Sequence, residues 1–312
     1  MNTTTTTRPA PTHRPDRQRP ARRTVSQANR GYVFVAPFLI FFVALFMVPL
    51  LYAAYLSLFK DQLVGGTVFV GLDNYSRALG DNQLISGILR VARFFLLQVP
   101  VMLALALLAA LAIDSGLLRL SRAFRLGIFV PYAVPSVVAT LMWGYLYGPD
   151  YGPFAQLADK IGAATPQFLT AGHMLGSLAN IVTWEFTGYN MIILYAALRS
   201  VPHELYEAAA VDGAGSWRIA WSIKIPALRP ALLLCVLFSV IGSFQLFAEP
   251  NLIQRLAPNV IDSSYTPNLY TYSLAFTSQD VNYAAAVSFL LGLVIVVASC
   301  LVLFLANRRT RS

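Results

Sequence analysis

Two apolar stretches of the sequence contain aromatic and amide side chains at helical spacing. In the first, Phe186, Tyr189 and Asn190 share one face if the stretch is a helix. In the second, Phe244 stands next to Gln245. Aromatic rings cover the apolar C–H face of a sugar while amides satisfy its hydroxyls, so this combination suits a neutral, hydroxyl-rich ligand. The alternative interpretation is that these polar groups join neighbouring helices by hydrogen bonds.

Two carboxylates lie in the same apolar stretches. Glu185 precedes Phe186. Glu249 follows Gln245 by four residues, so Gln245 and Glu249 share a face if that stretch is a helix. An ionisable group inside a membrane span costs about 3 kcal/mol or more, so it normally faces the bundle interior or a water-filled cavity. For both we expect a structural or interfacial role rather than catalysis.

The sequence lacks the patterns typical of phosphate-binding and hydrolytic enzymes. No lysine follows a glycine, as a P-loop requires, and no G-x-S-x-G occurs. The three histidines fall in a tail and in two separate loops, so they predict no shared metal. Cys235 and Cys300 both lie inside apolar segments, as packing residues do. We therefore expect no enzyme activity and no cofactor bound by this chain.

Composition indicates the elements that must position these residues. The chain has 312 residues, of which 57% are hydrophobic and only 12% charged, too few for the surface of a soluble globule. It is therefore predicted to lie in membrane lipid. The net charge of +9 could suggest nucleic acid, but the basic residues lie in tails and short loops and form no patch, so no nucleic-acid partner is expected.

Six apolar segments are long enough to cross a bilayer core of about 30 Å as helices. The second and sixth consist almost only of Leu, Ala and Val, which predicts lipid-facing or packing helices. Pro131 and Pro135 in the third are expected to mark kinks within one helix. The segments lie at about residues 33–58, 88–113, 123–147, 176–199, 230–253 and 283–306. The expected class is an all-α membrane protein with six transmembrane helices.

Two regions are expected: a basic tail, residues 1–31, and a transmembrane domain, residues 32–312. The tail is rich in Thr, Pro and Arg, so it is predicted to be disordered. Of the 23 Lys and Arg residues, six would lie outside if the N-terminus is cytoplasmic: Lys60, Arg77, Arg90, Arg93, Lys160 and Arg255. This bias predicts cytoplasmic N- and C-termini and a cytoplasmic 200–230 loop.

The loop at residues 200–230 is the long polar interruption in the second half of the chain. Glu204 and Glu207 suit the first turn of a helix, and Gly213 allows the left-handed conformation that ends it. A second short helix, Trp217 to Ile223, is predicted to be capped by Ser216 and ended by Pro226. The loop is therefore expected to form two short helices joined at a glycine turn.

The residue pattern of this loop resembles the EAA loop of ABC-importer permeases. Glu207-Ala208-Ala209, then Gly213, then Ile223-Lys224-Ile225-Pro226 stand at that family's spacing, with Ile225 in place of the usual Leu. Three further stretches are similar to the maltose-type members, so the resemblance covers almost everything after residue 31. They are Gly71 to Tyr75, Val130 to Ser136 and Gly242 to Phe247.

The resemblance implies a type I ABC-importer permease fold with a cytoplasmic coupling helix, in the plasma (inner) membrane of a prokaryote. The implied partners are a second homologous permease, two ABC ATPase subunits that bind ATP and Mg, and an extracytoplasmic solute-binding protein. The implied ligand is a sugar or oligosaccharide, contacted by Phe186, Tyr189, Asn190, Phe244 and Gln245. The residues implied in ATPase coupling are Glu204, Glu207, Ala208, Ala209, Asp212, Gly213 and Pro226.

Two other function classes remain open from the residues. A stand-alone ion-coupled carrier would need paired acids near the membrane midplane. Glu185 and Glu249 meet this requirement only weakly. The other class is a membrane scaffold that binds an ATPase but moves no ligand.

Overall fold

The computed structural model describes the backbone of residues 25–62, 64–116 and 118–310, and the side chains of residues 34–62, 64–116 and 118–306. The described residues fall into two compact units, one ending at Tyr52 and the other beginning at Ala53. The first described helix begins at Val25, ahead of the predicted span, so residues 25–31 of the predicted disordered tail are helical. The earlier part of that tail lies outside the described residues.

The described chain is predominantly helical. Its first half consists of α1 (Val25–Phe42), a π turn (Val43–Met47), α2 (Val48–Ser57), the hairpin strands β1 (Phe59–Gln62) and β2 (Gly66–Phe69), α3 (Asp73–Leu79), α4 (Asn82–Asp114), α5 (Ser121–Ala133), α6 (Ser136–Leu146) and α7 (Pro153–Lys160). The two strands pair antiparallel, with Phe59 opposite Phe69.

The second half carries the residues singled out above. It consists of α8 (Met174–Arg199), α9 (Glu204–Val211), α10 (Ser216–Ile219), a π turn (Ala220–Lys224), α11 (Ile225–Ala227), α12 (Arg229–Phe244), α13 (Ala248–Ile253), α14 (Pro267–Tyr272), a π turn (Ser273–Thr277) and α15 (Val281–Thr310).

Among the described residues, four helices are long and apolar enough to cross a membrane, and a bent pair would add a fifth span. They are Phe34–Ser57, Asn82–Asp114, Arg229–Ile253 and Val281–Ala306, with α5 and α6 as the bent pair. The remaining predicted segment, the fourth at residues 176–199, corresponds to α8, which has 26 residues but includes Thr183, Glu185 and Asn190. These polar side chains make α8 less apolar than the other predicted spans.

The third predicted segment is broken rather than kinked. α5 and α6 meet at an angle of 96°. Val134, the residue before Pro135, is extended with φ −76° and ψ 128°, because the proline ring disfavours helical geometry at that position. The prediction of one kinked helix was wrong, since Pro135 starts a new helix and Pro131 stays inside α5.

α4 and α8 form the centre of the larger unit. They run side by side, with Gln98 next to Thr183 and Met102 next to Asn190. α4 is the most buried of the four apolar spans, so it is a packing helix, whereas the apolar stretch of α15 is mostly partly buried or exposed. Pro100 lies inside α4, where its missing N–H leaves one carbonyl of the preceding turn without its helical partner.

The N-terminal end of α4 is held by one carboxylate. Asp81 Oδ1 accepts the backbone N–H of Gln83 (2.9 Å) and of Leu84 (3.4 Å), and Oδ2 accepts the hydroxyls of Tyr270 and Tyr283, both at 2.7 Å. Burial acts to raise the pKa of the Asp81 carboxyl, but these hydrogen bonds outweigh it and lower the pKa below its usual value. Asp81 therefore joins the start of α4 to α14 and α15.

The Gly71–Tyr75 stretch also ties elements together. Gly71 has a φ of 56°, and α3 begins two residues later. The buried Asn74 amide donates to the carbonyl oxygens of Ser57 (2.9 Å) and Phe59 (2.8 Å). The stretch is thus the anchored start of a helix and not a plain turn.

Candidate functional site

A cavity of about 660 Å³ lies between α4, α8 and α12 in the larger unit. This volume falls within the roughly 300–1,000 Å³ usual for small-molecule sites. Its wall is mainly aromatic and aliphatic, with polar groups from all three helices, from the end of α12, and from α13 and α14. The polar residues are Gln98, Asn190, Ser239, Ser243, Gln245, Glu249 and Asn268.

Four of the five residues predicted to contact a ligand line this cavity. Phe186, Tyr189 and Asn190 do so from α8, and Gln245 does so from the end of α12. Phe244 lies outside the lining and is packed in a hydrophobic cluster with Val91, Val240 and Leu291. The structure therefore brings together every predicted contact residue except Phe244.

The end of α12 explains why neighbouring residues face different surroundings. The helix ends at Phe244, and the Gln245 N–H donates to the carbonyl oxygens of Ile241 and Gly242 at 3.1 Å. α13 begins only at Ala248, so Gln245 and Glu249 do not share one helical face as the sequence predicted. Both still line the cavity, because the chain turns between the two helices.

The aromatic part of the site includes a residue that sequence reasoning did not select. The ring of Tyr132, from α5, stacks on Tyr189 with centroids 4.8 Å apart and meets Phe186 edge-on at 5.7 Å. The available signal was the position of Tyr132 between two prolines, Pro131 and Pro135, of the third predicted span. Tyr132 thus supports the two cavity-lining rings from outside the lining itself.

A close crossing of helices brings Tyr132 to Tyr189. α5 and α8 pack so tightly at Gly188 that a Cβ there would collide with the backbone carbonyl of Ile128. Only glycine allows this approach. Gly188 therefore determines where the α5 ring lies relative to α8.

The amide part of the site is held by local hydrogen bonds. Gln98 Nε2, buried in α4, donates to Thr183 Oγ1 at 3.4 Å and to Met102 Sδ at 3.2 Å. Asn190 Nδ2 donates to the Phe186 carbonyl oxygen at 3.0 Å. Sequence reasoning missed Gln98, although a single amide in an apolar span was a usable signal. The two amides are already oriented by their neighbours.

Both carboxylates of the apolar stretches are buried. Glu185 is 3% exposed and Glu249 is 7% exposed. Glu249 lines the cavity, whereas Glu185 does not, and neither Glu185 carboxylate oxygen has a hydrogen-bond partner among the described residues. Within the described part of the chain, no group of three His, Cys, Asp or Glu residues could hold a metal ion.

The helical hairpin, residues 204–227, is the second candidate site. Its first helix, α9, carries Glu204 and Glu207 in the first turn, as predicted, and these side chains are exposed. Gly213 has a φ of 78°, which confirms the left-handed turn after the helix. Ala208 is exposed and Ala209 is partly buried. Asp212, which directly follows α9, is exposed.

The second half of the helical hairpin departs from the prediction. Gly215, and not Ser216, occupies the N-cap position, and no side chain caps the helix. Pro226 does not end the helix, because a π turn precedes it and the chain continues as α11 to Ala227. Ile225 N–H bonds back to the Ala220 carbonyl, five residues away, and this wider turn accommodates the proline ring.

Residues 102–311 match the family described as "Binding-protein-dependent transport system inner membrane component". The chain belongs to this family. It is therefore a multi-pass permease component of the inner membrane and not an enzyme, and the resemblance drawn from the EAA-like loop is confirmed. A stand-alone carrier is not favoured.

Individual relatives match the permease over nearly its whole length. The lactose transport system permease protein of Rhizobium radiobacter is 31% identical over 288 residues, which cover 89% of this chain and 94% of that protein. The arabinooligosaccharides transport system permease protein of Bacillus subtilis strain 168 is 28% identical over 285 residues, 90% of each chain.

A solved structure has the same fold as the permease. It is the bacterial alginate ABC transporter in complex with an alginate pentasaccharide-bound periplasmic protein. One of its chains superposes with a TM-score of 0.81 at 19% identity, covering 92% of this chain and 97% of that one. The all-α type I importer permease fold is thereby confirmed.

Proposed function

We propose that the permease imports a sugar or oligosaccharide delivered by an extracytoplasmic solute-binding protein, driven by separate ATPase subunits. The observation that supports this most is the cavity between α4, α8 and α12. There the rings of Phe186 and Tyr189 face the same space as the amides of Gln98, Gln245 and Asn268. Rings for C–H faces and amides for hydroxyls are what sugar recognition needs.

The relatives support a carbohydrate ligand independently of the cavity. The two curated relatives are named for transport of lactose and of arabinooligosaccharides, and the solved transporter binds an alginate pentasaccharide on its periplasmic protein. The lining of this permease contains Glu249 but no arginine or lysine. A neutral sugar suits it better than an acidic one, because an anion would meet no basic side chain there.

The partners follow from the family and from the surface of the helical hairpin. The partners we assign to each transporter are a second permease, two ATPase subunits that hold ATP and Mg, and one solute-binding protein. Val211, Trp217 and Trp221 are 88%, 78% and 64% exposed, and such apolar exposure on a loop favours a protein or lipid partner. The excess of Lys and Arg on that side favours a cytoplasmic hairpin and cytoplasmic termini.

The mechanism we propose is transmission of movement between rigid elements. Closure of the ATPase pair displaces α9 through contacts at Glu204, Glu207 and the Ala208–Ala209 face, with Asp212, Gly213 and Pro226 maintaining the hairpin geometry. α8 leads directly into the hairpin and α12 leads out of it, so both helices carry the displacement to the cavity. Access to the cavity then alternates between the two sides.

Uptake into vesicles tests this function. The assembled transporter is reconstituted with its binding protein, and uptake of labelled lactose, arabinotriose and an alginate trisaccharide is measured with ATP enclosed. We expect one neutral sugar to accumulate only when ATP and the ATPase subunits are present. Uptake driven by a proton or sodium gradient without ATP would support the stand-alone carrier, and ATPase binding without uptake would support the scaffold.

A further inference from the structure

Lys224 contacts two other parts of the permease. Its Nζ forms an ion pair with Asp114 Oδ2 and lies 4.9 Å from the ring centroid of Tyr206. Asp114 is the last residue of α4, Tyr206 lies in α9, and Lys224 ends the π turn of the helical hairpin. A single side chain thus meets both halves of the hairpin and the end of a spanning helix.

The Asp114–Lys224 contact is much less exposed than the ion pair at the start of the helical hairpin. The side chains of Lys224 and Asp114 are 14% and 7% exposed, whereas those of His203 and Glu207, which also form an ion pair, are 75% and 70% exposed. Burial, and then the negative charge of Asp114, raise the pKa of the Tyr206 hydroxyl, which keeps that ring neutral beside the pair. The hairpin is therefore attached firmly at one point.

Stability alone does not account for a buried ion pair. Removing both charges from water costs so much that a well-packed apolar pair is often equally stable. What the pair supplies is a defined distance and direction between two segments that are 110 residues apart in sequence. The placement of Lys224 therefore points to a positioning role.

We infer that Asp114, Lys224 and Tyr206 form a joint through which movement of the helical hairpin reaches α4 directly. This inference rests on the proposed function. α4 lines the cavity with Phe94, Gln98 and Met102. Gln98 lies about 24 Å along the helix from Asp114, at 1.5 Å per residue. The cavity thus receives the displacement through α4 as well as through α8 and α12.

Thiol labelling of the assembled transporter tests this joint without knowledge of the ligand. The probe is a small water-soluble maleimide, applied with and without ATP plus vanadate in a Cys235→Ala, Cys300→Ala background. Gln98→Cys reports on α4, and Phe186→Cys on α8 is its matched control. With the natural pair, we expect nucleotide to change both labelling rates, by about fivefold or more.

Two double variants then separate positioning from stability. In Asp114→Leu with Lys224→Met, no buried charge is left unpaired, so the transporter is expected to assemble. The nucleotide response at position 98 should be lost while the response at position 186 persists. In Asp114→Lys with Lys224→Glu, the swapped pair should restore the response at position 98.

An unchanged response at position 98 in the apolar variant would overturn the joint. Should that variant not assemble, the neutral pair Asp114→Asn with Lys224→Gln replaces it. The neutral pair should weaken the response at position 98 but not at 186, and equal responses at both positions overturn the inference. If the proposed function itself is wrong, neither position responds to nucleotide even with the natural pair, so the two failures can be distinguished.

Discussion

The central cavity and the helical hairpin are built in opposite ways. The cavity lies between long helices whose facing residues are buried, including Phe94, Met102, Met191 and Leu194. The helical hairpin consists of short helices without a fully buried residue between 204 and 227. The cavity is thus lined by packed helices of this chain, whereas the hairpin presents apolar surface that a partner can cover.

Because of this difference, we expect substitutions in the two regions to affect different properties of the permease. Substitutions at the cavity are expected to change how the permease folds or what it binds, because its side chains pack against one another. Substitutions in the helical hairpin are expected to change transport with little effect on folding, since few of its contacts are internal. The substitutions below test whether the two regions differ in this way.

The largest effect is expected at Gly213. Proline cannot adopt the φ of 78° found there, so Gly213→Pro should abolish ATP-driven uptake while leaving membrane insertion and thermal stability near normal. Gly213→Val should lower uptake by about tenfold, from strain of about 1–2 kcal/mol.

The matched control for this prediction is Gly215→Val. A Cβ at either glycine meets no atom within 4 Å, but Gly215 has an ordinary φ of −71°. Normal uptake by Gly213→Pro, or equal losses for the two valine variants, would contradict the role of the glycine turn. A large loss of thermal stability would instead contradict the contrast between the two regions.

The second-largest effect is expected from a substitution at Gly188. Gly188→Ala forces a methyl group against the Ile128 carbonyl and should lower stability by about 1–3 kcal/mol. The separation of α5 from α8 should also displace Tyr132 from Tyr189 and reduce uptake. Thermal unfolding of the purified permease measures the first effect.

Gly176→Ala in the same helix is the control, because nothing lies within 4 Å of its Cβ. That change should be neutral or stabilise by up to about 1 kcal/mol through helix propensity. If both alanine variants unfold at the same temperature, the close crossing does not hold these helices.

A moderate effect is expected at Tyr189. Tyr189→Ala removes a stacking surface worth about 0.5–1.5 kcal/mol, so the sugar concentration for half-maximal uptake should rise by about 2- to 13-fold. Phe244→Leu is the control, because Phe244 is buried outside the cavity. It should lower thermal stability without changing that concentration. If Tyr189→Ala instead lowers thermal stability without changing that concentration, the result would favour the interpretation that Tyr189 only joins neighbouring helices.

The smallest effect on transport is expected at Asp81. The folded-state pKa of its carboxyl is lowered, so its stabilisation is full above the unfolded value of about 3.9 and is lost as pH falls through the folded value. Asp81→Asn should therefore lower thermal stability at neutral pH, by an amount that shrinks in strong acid. The exposed Asp150→Asn is the control, and a constant difference at every pH would contradict the hydrogen-bond explanation.

Much of the fold follows from apolar length, because a bilayer admits few alternatives to spanning helices. The break at Val134 did not follow, since spanning helices tolerate prolines whenever neighbours satisfy the freed carbonyls. The sequence cannot show whether they do. In the hairpin, the φ of Gly213 was predictable from residue type. The passage of the helix through Pro226 was not, because it depends on a π turn without a sequence signal.

The candidate site shows the same limit at single residues. Periodicity placed Phe186, Tyr189 and Asn190 together correctly, because α8 is continuous through them. It failed at Gln245 and Glu249, because α12 ends at Phe244 and α13 begins only at Ala248. Gln98 was missed although it is the single amide of its predicted span, whereas the position of Tyr132 depends on a helix crossing that only the folded chain shows.

Both ends of α4 are bound by carboxylates. Asp81 fastens the first turn to two tyrosines, and Asp114 fastens the last turn to Lys224. A helix attached at both ends cannot shift along its own axis without breaking one of these two sets of contacts. The freedom left to this 33-residue helix is to flex about its middle, where Pro100 lies beside the cavity wall.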